Sequence, residues 1–179
     1  MKFSGFFLSL DLKSKSSYNF VAMDSNEAFS KILHSFESYY NLKTEDVESP
    51  FLAEATFKSH SEQYFLIKSA KLSESDSNEF VFFSKDGDIP SLASLAWERG
   101  LSRVTPYYGH RNTDITFIYV SDKIPDDSFK KLRKLNFYKS YKFGFYGWSS
   151  FRALAYEAST GRFSTNRRGS DLKKIAGSL

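Results

Sequence analysis

Residues 138–157 read YKSYKFGFYGWSSFRALAYE, which places eight aromatic rings within twenty residues. Because alternate residues of a β-strand point to opposite faces of a sheet, a strand over the first half of this stretch divides its side chains into two sets. The mostly apolar set is predicted to face the core: Phe137, Lys139, Tyr141, Phe143 and Phe145. The other set mixes rings with lysine and small residues, and is predicted to face water: Tyr138, Ser140, Lys142, Gly144, Tyr146 and Trp148.

The second set suits a flat, anionic partner. A lysine such as Lys142 is costly in a core unless its ammonium group is paired or reaches water. Stacking of a nucleic-acid base on an exposed ring contributes about 1–3 kcal/mol, while cations hold the phosphates. Tyr138, Lys142, Tyr146 and Trp148 are accordingly predicted to contact nucleic acid. The alternative is structural, because Tyr and Trp also line half-buried sheets beneath a helix.

The charge of the chain is unevenly distributed. The net charge is +4, yet residues 130–179 contain twelve Lys and Arg against two acids, for a charge of +10. The preceding 129 residues contain thirteen bases and nineteen acids, for a charge of −6. Such asymmetry indicates an anionic partner for the basic third of the chain, unless the two parts attract each other within the fold.

The segment GRFSTNRRGSDLKKIAG, residues 161–177, is predicted to add phosphate contacts. Ser170 is predicted to cap a short final helix, whose start has free N–H groups and a partial positive charge. With the flexible Gly169, the cations of this segment are predicted to form a phosphate-binding corner: Arg162, Arg167, Arg168 and Lys173. A solvated charge run at the end of the chain is the alternative.

Hydrophobic periodicity predicts the other elements. Asp24 begins a capping-box pattern ahead of an amphipathic helix, and further helices are predicted to start near Pro90 and Pro125. Hairpins are predicted over residues 3–24 and over residues 51–72.

The β-branched and aromatic run ITFIYV, residues 115–120, is the best candidate for a central strand. The predicted fold is α+β, with about three to four helices on a mainly antiparallel sheet. We predict a single domain over residues 1–179, with a basic, aromatic-rich C-terminal third at residues 130–179.

Two segments resemble known families. Residues 115–135 resemble the first strand and helix of an RNA-recognition motif, and KFGFYGW is similar to the aromatic strand motif of that family. The matching positions are Lys142, Phe143, Gly144, Phe145 and Trp148, although the glycine after the basic residue is missing. This resemblance covers residues 115–179 and implies RNA binding with Phe143 and Phe145 exposed, whereas strand alternation places both inside. NRRGSDLKKIAG resembles the coenzyme A pyrophosphate loop of acetyltransferases, without its second glycine.

Several kinds of chemistry have no support in the sequence. There is no cysteine, which excludes disulfides and thiolate ligands, and His34, His60 and His110 lie far apart with no metal-binding spacing. No nucleophile elbow, phosphate loop or zinc-protease motif is present. We therefore predict no catalytic residue, no cofactor and no metal. No segment approaches the roughly 20 apolar residues of a membrane helix, and we predict a cytoplasmic protein with no membrane partner.

The function predicted from the sequence is non-catalytic binding of a polyanion, most readily RNA or single-stranded nucleic acid, on a basic aromatic surface. A protein-interaction module that docks an acidic partner or a second copy of itself is one alternative, because Tyr, Trp and Arg are also enriched at protein interfaces. An acyltransferase-like enzyme is another, which the second resemblance implies.

Overall fold

A seven-stranded sheet lies at the centre of the described part of the protein. A computed structural model describes residues 23–57, 76–108 and 110–179. The strands are β1 (Tyr40–Lys43), β2 (Ala53–Phe57), β3 (Asp76–Ser84), β4 (His110–Ser121), β5 (Tyr138–Ser140), β6 (Trp148–Glu157) and β7 (Arg162–Thr165). They lie in the order β1-β2-β3-β4-β6-β5, and β7 also pairs with β6.

The sheet is mixed. Its long central strands are parallel, because β3 pairs in parallel with β4 and β4 with β6. The flanking pairs β1–β2, β2–β3, β5–β6 and β6–β7 are antiparallel. The predicted α+β fold is confirmed in this coarser form, but its sheet is not built from hairpins alone. Parallel neighbours need a crossover connection, and strand alternation within one segment carries no information about that pairing.

Four α-helices lie in the described residues: α1 (Ser25–Glu37), α2 (Ile89–Ser102), α3 (Asp126–Lys134) and α4 (Lys173–Gly177). The connection from β3 to β4 contains α2, and the connection from β4 to β6 contains α3 and β5. Asp24 caps α1, since its carboxylate accepts the backbone N–H groups of Asn26 and Glu27 at 2.8 Å. Asp88 caps α2 in the same way, with Pro90 in the first turn. The helix starts predicted near Asp24, Pro90 and Pro125 are thus confirmed.

The helices cover both faces of the sheet. On the first face, apolar residues of α1 and α4 pack on alternate residues of the strands, among them Ile32, Phe36, Val81, Ile118, Leu154, Tyr156, Leu172 and Ala176. On the second face, α2 and α3 pack on the intervening residues, among them Phe82, Ala93, Ala96, Phe117, Phe129, Leu132, Phe151 and Ala155. The run ITFIYV is buried on both faces, as expected of a central strand.

One edge of β6 is shared by two short strands. Residues 138–140 of β5 pair with the start of β6, and β7 pairs with its end from Leu154 onward. Between them the Asn166 side chain takes the place of a strand. Its Oδ1 accepts the N–H of Ala153 at 2.9 Å, and its Nδ2 donates to the carbonyl of Phe151 at 2.9 Å. A second Nδ2 hydrogen bond reaches the carbonyl of Leu135 at 3.0 Å.

The predicted hairpin over residues 3–24 lies outside the described residues, apart from its last two positions. Only β2 of the second predicted hairpin is described, and its predicted turn near His60 is not. Within the ranges that the structure describes, no helix has the length and apolar character needed to span a membrane.

Candidate functional site

Rings and charges share an exposed part of the first sheet face, at the amino ends of β4 and β6. Because side chains alternate, Trp148, Ser150 and Arg152 point to the same face as Leu154, which packs in the α1 core. Tyr138 lies opposite Ser150 in the register of β5 and β6. We call the surface formed by Asp114, Tyr138 and Trp148, with the adjoining Arg168, the open face; Ser150, between Asp114 and Tyr138 in register, is buried.

Two aromatic rings of the open face are exposed, as alternation predicts. Half of the Tyr138 surface and 36% of the Trp148 surface reach solvent. Trp148 lies opposite Ser140, two positions before the partner of Tyr138. The two rings are therefore diagonal neighbours, whose Cα atoms in such pairs are about 7–8 Å apart. Two rings at this spacing form a platform on which planar groups can stack.

Arg168 lies directly over one of these rings. Its guanidinium carbon is 5.0 Å from the centre of the Tyr138 ring, a distance at which a cation is attracted to the face of an aromatic ring. Arg167 and Lys173, which are close to Arg168 in the sequence, are also exposed. Within the described residues none of these three cations forms an ion pair with a carboxylate.

Asn166 and Gly169 hold the turn that carries Arg168. The N–H of Gly169 donates to Asn166 Oδ1 at 2.9 Å, and Asn166 is itself bonded to β6. A Cβ atom at position 169 would lie 2.9 Å from the backbone nitrogen and oxygen of Ala153. Only glycine lets the turn approach the strand this closely. The edge of β6 therefore fixes the position of the arginine above Tyr138.

Four charged residues form a network beside the rings. Arg152 donates from Nη1 to Oε1 of Glu79 at 2.9 Å and from Nη2 to Asp171, and its Nη1 lies 3.8 Å from Asp114 Oδ2. The Arg152 guanidinium thus hydrogen-bonds to two carboxylates and lies within ion-pair distance of a third. Ser150 donates its hydroxyl hydrogen to Asp114 Oδ1 at 2.6 Å.

Glu79 is satisfied on both oxygens. Oε1 also accepts from the hydroxyl of Thr116 at 2.5 Å, and Oε2 accepts from that of Tyr40 at 2.6 Å. Burial, together with the negative charge of Glu79, raises the pKa of the Tyr40 phenol well above its ordinary value. Tyr40 therefore stays protonated and acts as a hydrogen-bond donor at physiological pH.

In the loop between β5 and β6, residues 141–147, the side chains of Phe143 and Phe145 are oriented differently from the prediction. Phe143 is fully exposed and Phe145 is 75% exposed, although strand alternation placed both in the core. The strand stops after Ser140, and Lys142 and Phe143 then adopt left-handed φ values of 48° and 55°. Alternation no longer applies once the backbone leaves the extended conformation. The exposure implied by the RNA-recognition resemblance is observed, but on a loop and not on a strand.

Contacts to β4 hold this loop in place. The carbonyl of Tyr146 accepts a hydrogen bond from His110 Nδ1 at 2.8 Å, and the other imidazole nitrogen lies 3.0 Å from the hydroxyl of Thr113. Gly147 has a φ of +73°, and a Cβ there would lie 2.3 Å from the carbonyl oxygen of Arg111. Tyr146 is half-buried by this arrangement, and Lys142 is exposed in the loop and not on a strand.

Arg162 lies elsewhere. Arg162 pairs with Glu157 and Tyr138 pairs with Ser150, so their partners on β6 are seven residues apart, about 23 Å at 3.3 Å per residue. Arg162 also lies on the second face, where its guanidinium carbon is 5.2 Å from the centre of the Phe129 ring. Its guanidinium bonds both oxygens of Glu157, at 3.0 and 2.9 Å, and Asp126 at 2.8 Å. The structure therefore does not bring Arg162 together with the other predicted cations.

The helix predicted to start at Ser170 begins later. Residues 170–172 form a 3₁₀ turn in which Ser170 makes no capping hydrogen bond, and α4 starts at Lys173. Ser170 is wrong as a helix cap because the chain continues around the Gly169 turn before the helix begins. Arg167 and Arg168 owe their positions to Asn166 instead.

Sequence reasoning missed the charged network of the open face. The sequence YYGHRNTD, residues 107–114, indicates a loop, whereas β4 already starts at His110. Polar residues at alternate positions, Asn112, Asp114 and Thr116, were the available signal for a strand with one polar face. Glu79, Arg152 and Asp171 are far from these in sequence, and only the sheet brings them together. No group of three or more potential ligands suited to a metal ion occurs in the described ranges.

These features define a three-layer α+β protein whose sheet carries rings and charges on one exposed part. The chain belongs to the family described as "Domain of unknown function (DUF8052)", whose model matches residues 24–177. The matched residues include every described helix and strand. No curated protein and no solved structure matches the chain.

Proposed function

We propose that the protein binds single-stranded nucleic acid, RNA first, on the open face. The observation that carries this proposal is the exposure of Tyr138 and Trp148 as diagonal neighbours on one sheet face, with Arg168 over the Tyr138 ring. Bases stack on such rings without regard to sequence, and cations beside them follow the phosphates. A sheet that displays rings in this way is a common single-strand platform.

The cations around the rings support the same ligand. Arg167, Arg168 and Lys173 are exposed and lack carboxylate partners in the described ranges, and Lys142 is exposed in the loop that precedes Trp148. Arg162 is left out of the proposal because its guanidinium is bound by Glu157 and Asp126. An unpaired surface cation releases counterions when it meets a phosphate, which makes binding depend on salt.

Fluorescence anisotropy with labelled eight- to twelve-nucleotide RNA tests the proposal. We expect Y138A and W148A each to weaken binding by about 5- to 150-fold, the loss of about 1–3 kcal/mol of stacking. The matched control is Y39A, because Tyr39 is equally exposed but lies beside β1 at the far edge of the sheet. Its removal leaves the affinity unchanged.

The salt dependence gives a second measurement. With three phosphate contacts, the slope of log K against log salt is about −2 for a single strand, and each cation replaced by Gln reduces it by about 0.7. Absence of binding at micromolar protein, or binding insensitive to salt, contradicts the proposal. A stable assembly in light scattering without nucleic acid would then favour the protein-docking alternative.

A further inference from the structure

A negative charge lies in the middle of the proposed polyanion surface. Asp114 is opposite Ser150 in the register of β4 and β6, and Ser150 is opposite Tyr138. These three residues form one row across the open face, and Trp148 lies diagonally from Asp114. The Asp114 side chain is 27% exposed and therefore accessible to a ligand. A carboxylate here repels a phosphate, so Asp114 must contact a part of the ligand other than its phosphates.

The neighbouring guanidinium does not use up the hydrogen-bonding capacity of Asp114. Arg152 is directed to Glu79 and Asp171, and its approach to Asp114 Oδ2, at 3.8 Å, is too long for a hydrogen bond. Ser150 occupies one lone pair of Oδ1. Within the described residues no donor reaches Oδ2, whereas both oxygens of Glu79 accept hydrogen bonds.

The carboxylate is also fixed in orientation. The short hydrogen bond from Ser150 holds Oδ1, and the attraction of Arg152 holds the Oδ2 side. An acceptor that is oriented in advance loses little entropy when it binds. The Asp114 carboxylate therefore presents two oriented acceptor oxygens near the Trp148 ring, and its negative charge disfavours a phosphate at this position.

The groups of a nucleic acid that fit this acceptor are the N–H donors at the edge of a base. Single-stranded RNA is commonly read by stacking of a base on a ring, with hydrogen bonds to its Watson–Crick edge. Guanine presents two adjacent donors there, N1–H and the N2 amino group, and these match the two oxygens of one carboxylate. Adenine and cytosine each present one amino group, and uracil presents one N–H.

We propose that Asp114 reads the base stacked against Trp148 and selects guanine. This inference rests on the proposed nucleic-acid function and adds its base preference. Asp114 acts as a specificity residue, while Trp148 supplies the stacking and the cations hold the backbone.

Anisotropy titrations test this with octamers of uridine that contain one central guanosine, inosine, adenosine or cytidine. A well-placed bidentate contact discriminates by about 1–3 kcal/mol, which is about 5- to 150-fold, so we expect the guanosine strand to bind more tightly than octauridine by that factor. Inosine lacks the N2 amino group, so we expect the affinity of the inosine strand to lie between those of the guanosine strand and octauridine. This comparison uses the unaltered protein and therefore does not depend on the folding of any variant.

D114N then isolates the carboxylate. We expect the preference for guanosine to fall to within about twofold, while the affinity for octauridine stays equal or rises because a repulsive charge is gone. D171N is the matched control: it removes another carboxylate bound to Arg152 and leaves the order of bases unchanged. A purely structural role for Asp114 would weaken all strands together.

The outcomes separate the two proposals. If no strand binds, the nucleic-acid function fails and the base preference fails with it. If all strands bind with equal affinity, or if D114N retains the preference for guanosine, the function stands and the assignment of Asp114 is overturned.

Discussion

The two ends of the parallel strands are built in opposite ways. At the carboxyl ends, charges are paired: the buried Glu157 is bound by Arg162, and the exposed Asp122 accepts both the N–H and the hydroxyl of Ser25 at 2.7 and 3.0 Å. At the amino ends, rings are exposed and the backbone of Phe143 is left-handed. Ligands of open α/β sheets generally bind at the carboxyl ends. In the described residues the Glu157 and Asp122 carboxylates at that end are already bound, whereas the exposed rings and the Asp114 Oδ2 acceptor lie at the other end.

The largest effect is expected from E157Q, at the carboxyl end. Glu157 is buried and accepts hydrogen bonds from Arg162, from Thr160 and from the N–H of Ile124 at 2.6 Å. Removing one partner of a buried ion pair costs about 3–5 kcal/mol, so we expect a loss near the lower figure at pH 7 in urea unfolding. D127N is the control, because the exposed Asp127–Lys131 pair contributes little to the free energy of unfolding.

The same variant has a defined pH dependence. The hydrogen bonds from Arg162 hold the pKa of Glu157 at about 2, below its ordinary value of 4.5. The stabilisation is therefore fully present above pH 4.5 and is lost as the pH falls through about 2. The difference between E157Q and the unaltered protein should shrink over that range. A difference that stays constant with pH would show that the carboxylate charge is not the cause.

A somewhat smaller effect is expected from G147A, at the amino end. A Cβ at this position meets the carbonyl oxygens of Arg111 and His110 at 2.3 and 2.5 Å, and φ is +73°. We expect a loss of about 1–3 kcal/mol in the free energy of unfolding, from the clash and the strained backbone together. G144A shares the positive φ but meets only Ser140 Oγ, at 3.9 Å. Equal losses in the two variants would show that the contact between loop and strand is unimportant.

The smallest effect, of opposite sign, is expected from F143G. Phe143 is fully exposed and has a left-handed φ, which costs a non-glycine residue about 1 kcal/mol. Glycine relieves that strain but gains freedom in the unfolded chain, so we expect a net stabilisation of about 0.5 kcal/mol in thermal unfolding. Phe145 is also exposed but has a right-handed φ of −64°. F145G should therefore destabilise the protein. A loss of stability in both variants would show that the left-handed backbone of Phe143 is not strained.

Local patterns predicted the elements that local chemistry determines. Asp24 and the apolar periodicity after it predicted α1, Pro90 and Pro125 predicted two helix starts, and ITFIYV predicted a central strand. The exposure of Tyr138 and Trp148 followed from alternation, because each lies in a true strand next to its register partner.

Contacts between distant segments could not be predicted in this way. The parallel pairing of β4 with β6 depends on packing across the whole sheet, and the meeting of Asp114 with Arg152 depends on that pairing. The left turn at Lys142 and Phe143 had no local signal, because neither residue type favours positive φ.

The Asn166 side chain has a consequence for how little change the edge of β6 tolerates. Its nitrogen faces two carbonyl oxygens, of Leu135 and Phe151, while its oxygen faces two N–H groups. Hydrolysis of the amide to an acid exchanges one atom, NH₂ for O⁻, and turns two attractions into two repulsions in a buried place. An aspartate at this position, the product of deamidation, would therefore disturb both the edge of β6 at Ala153 and Phe151 and the turn that carries Arg168.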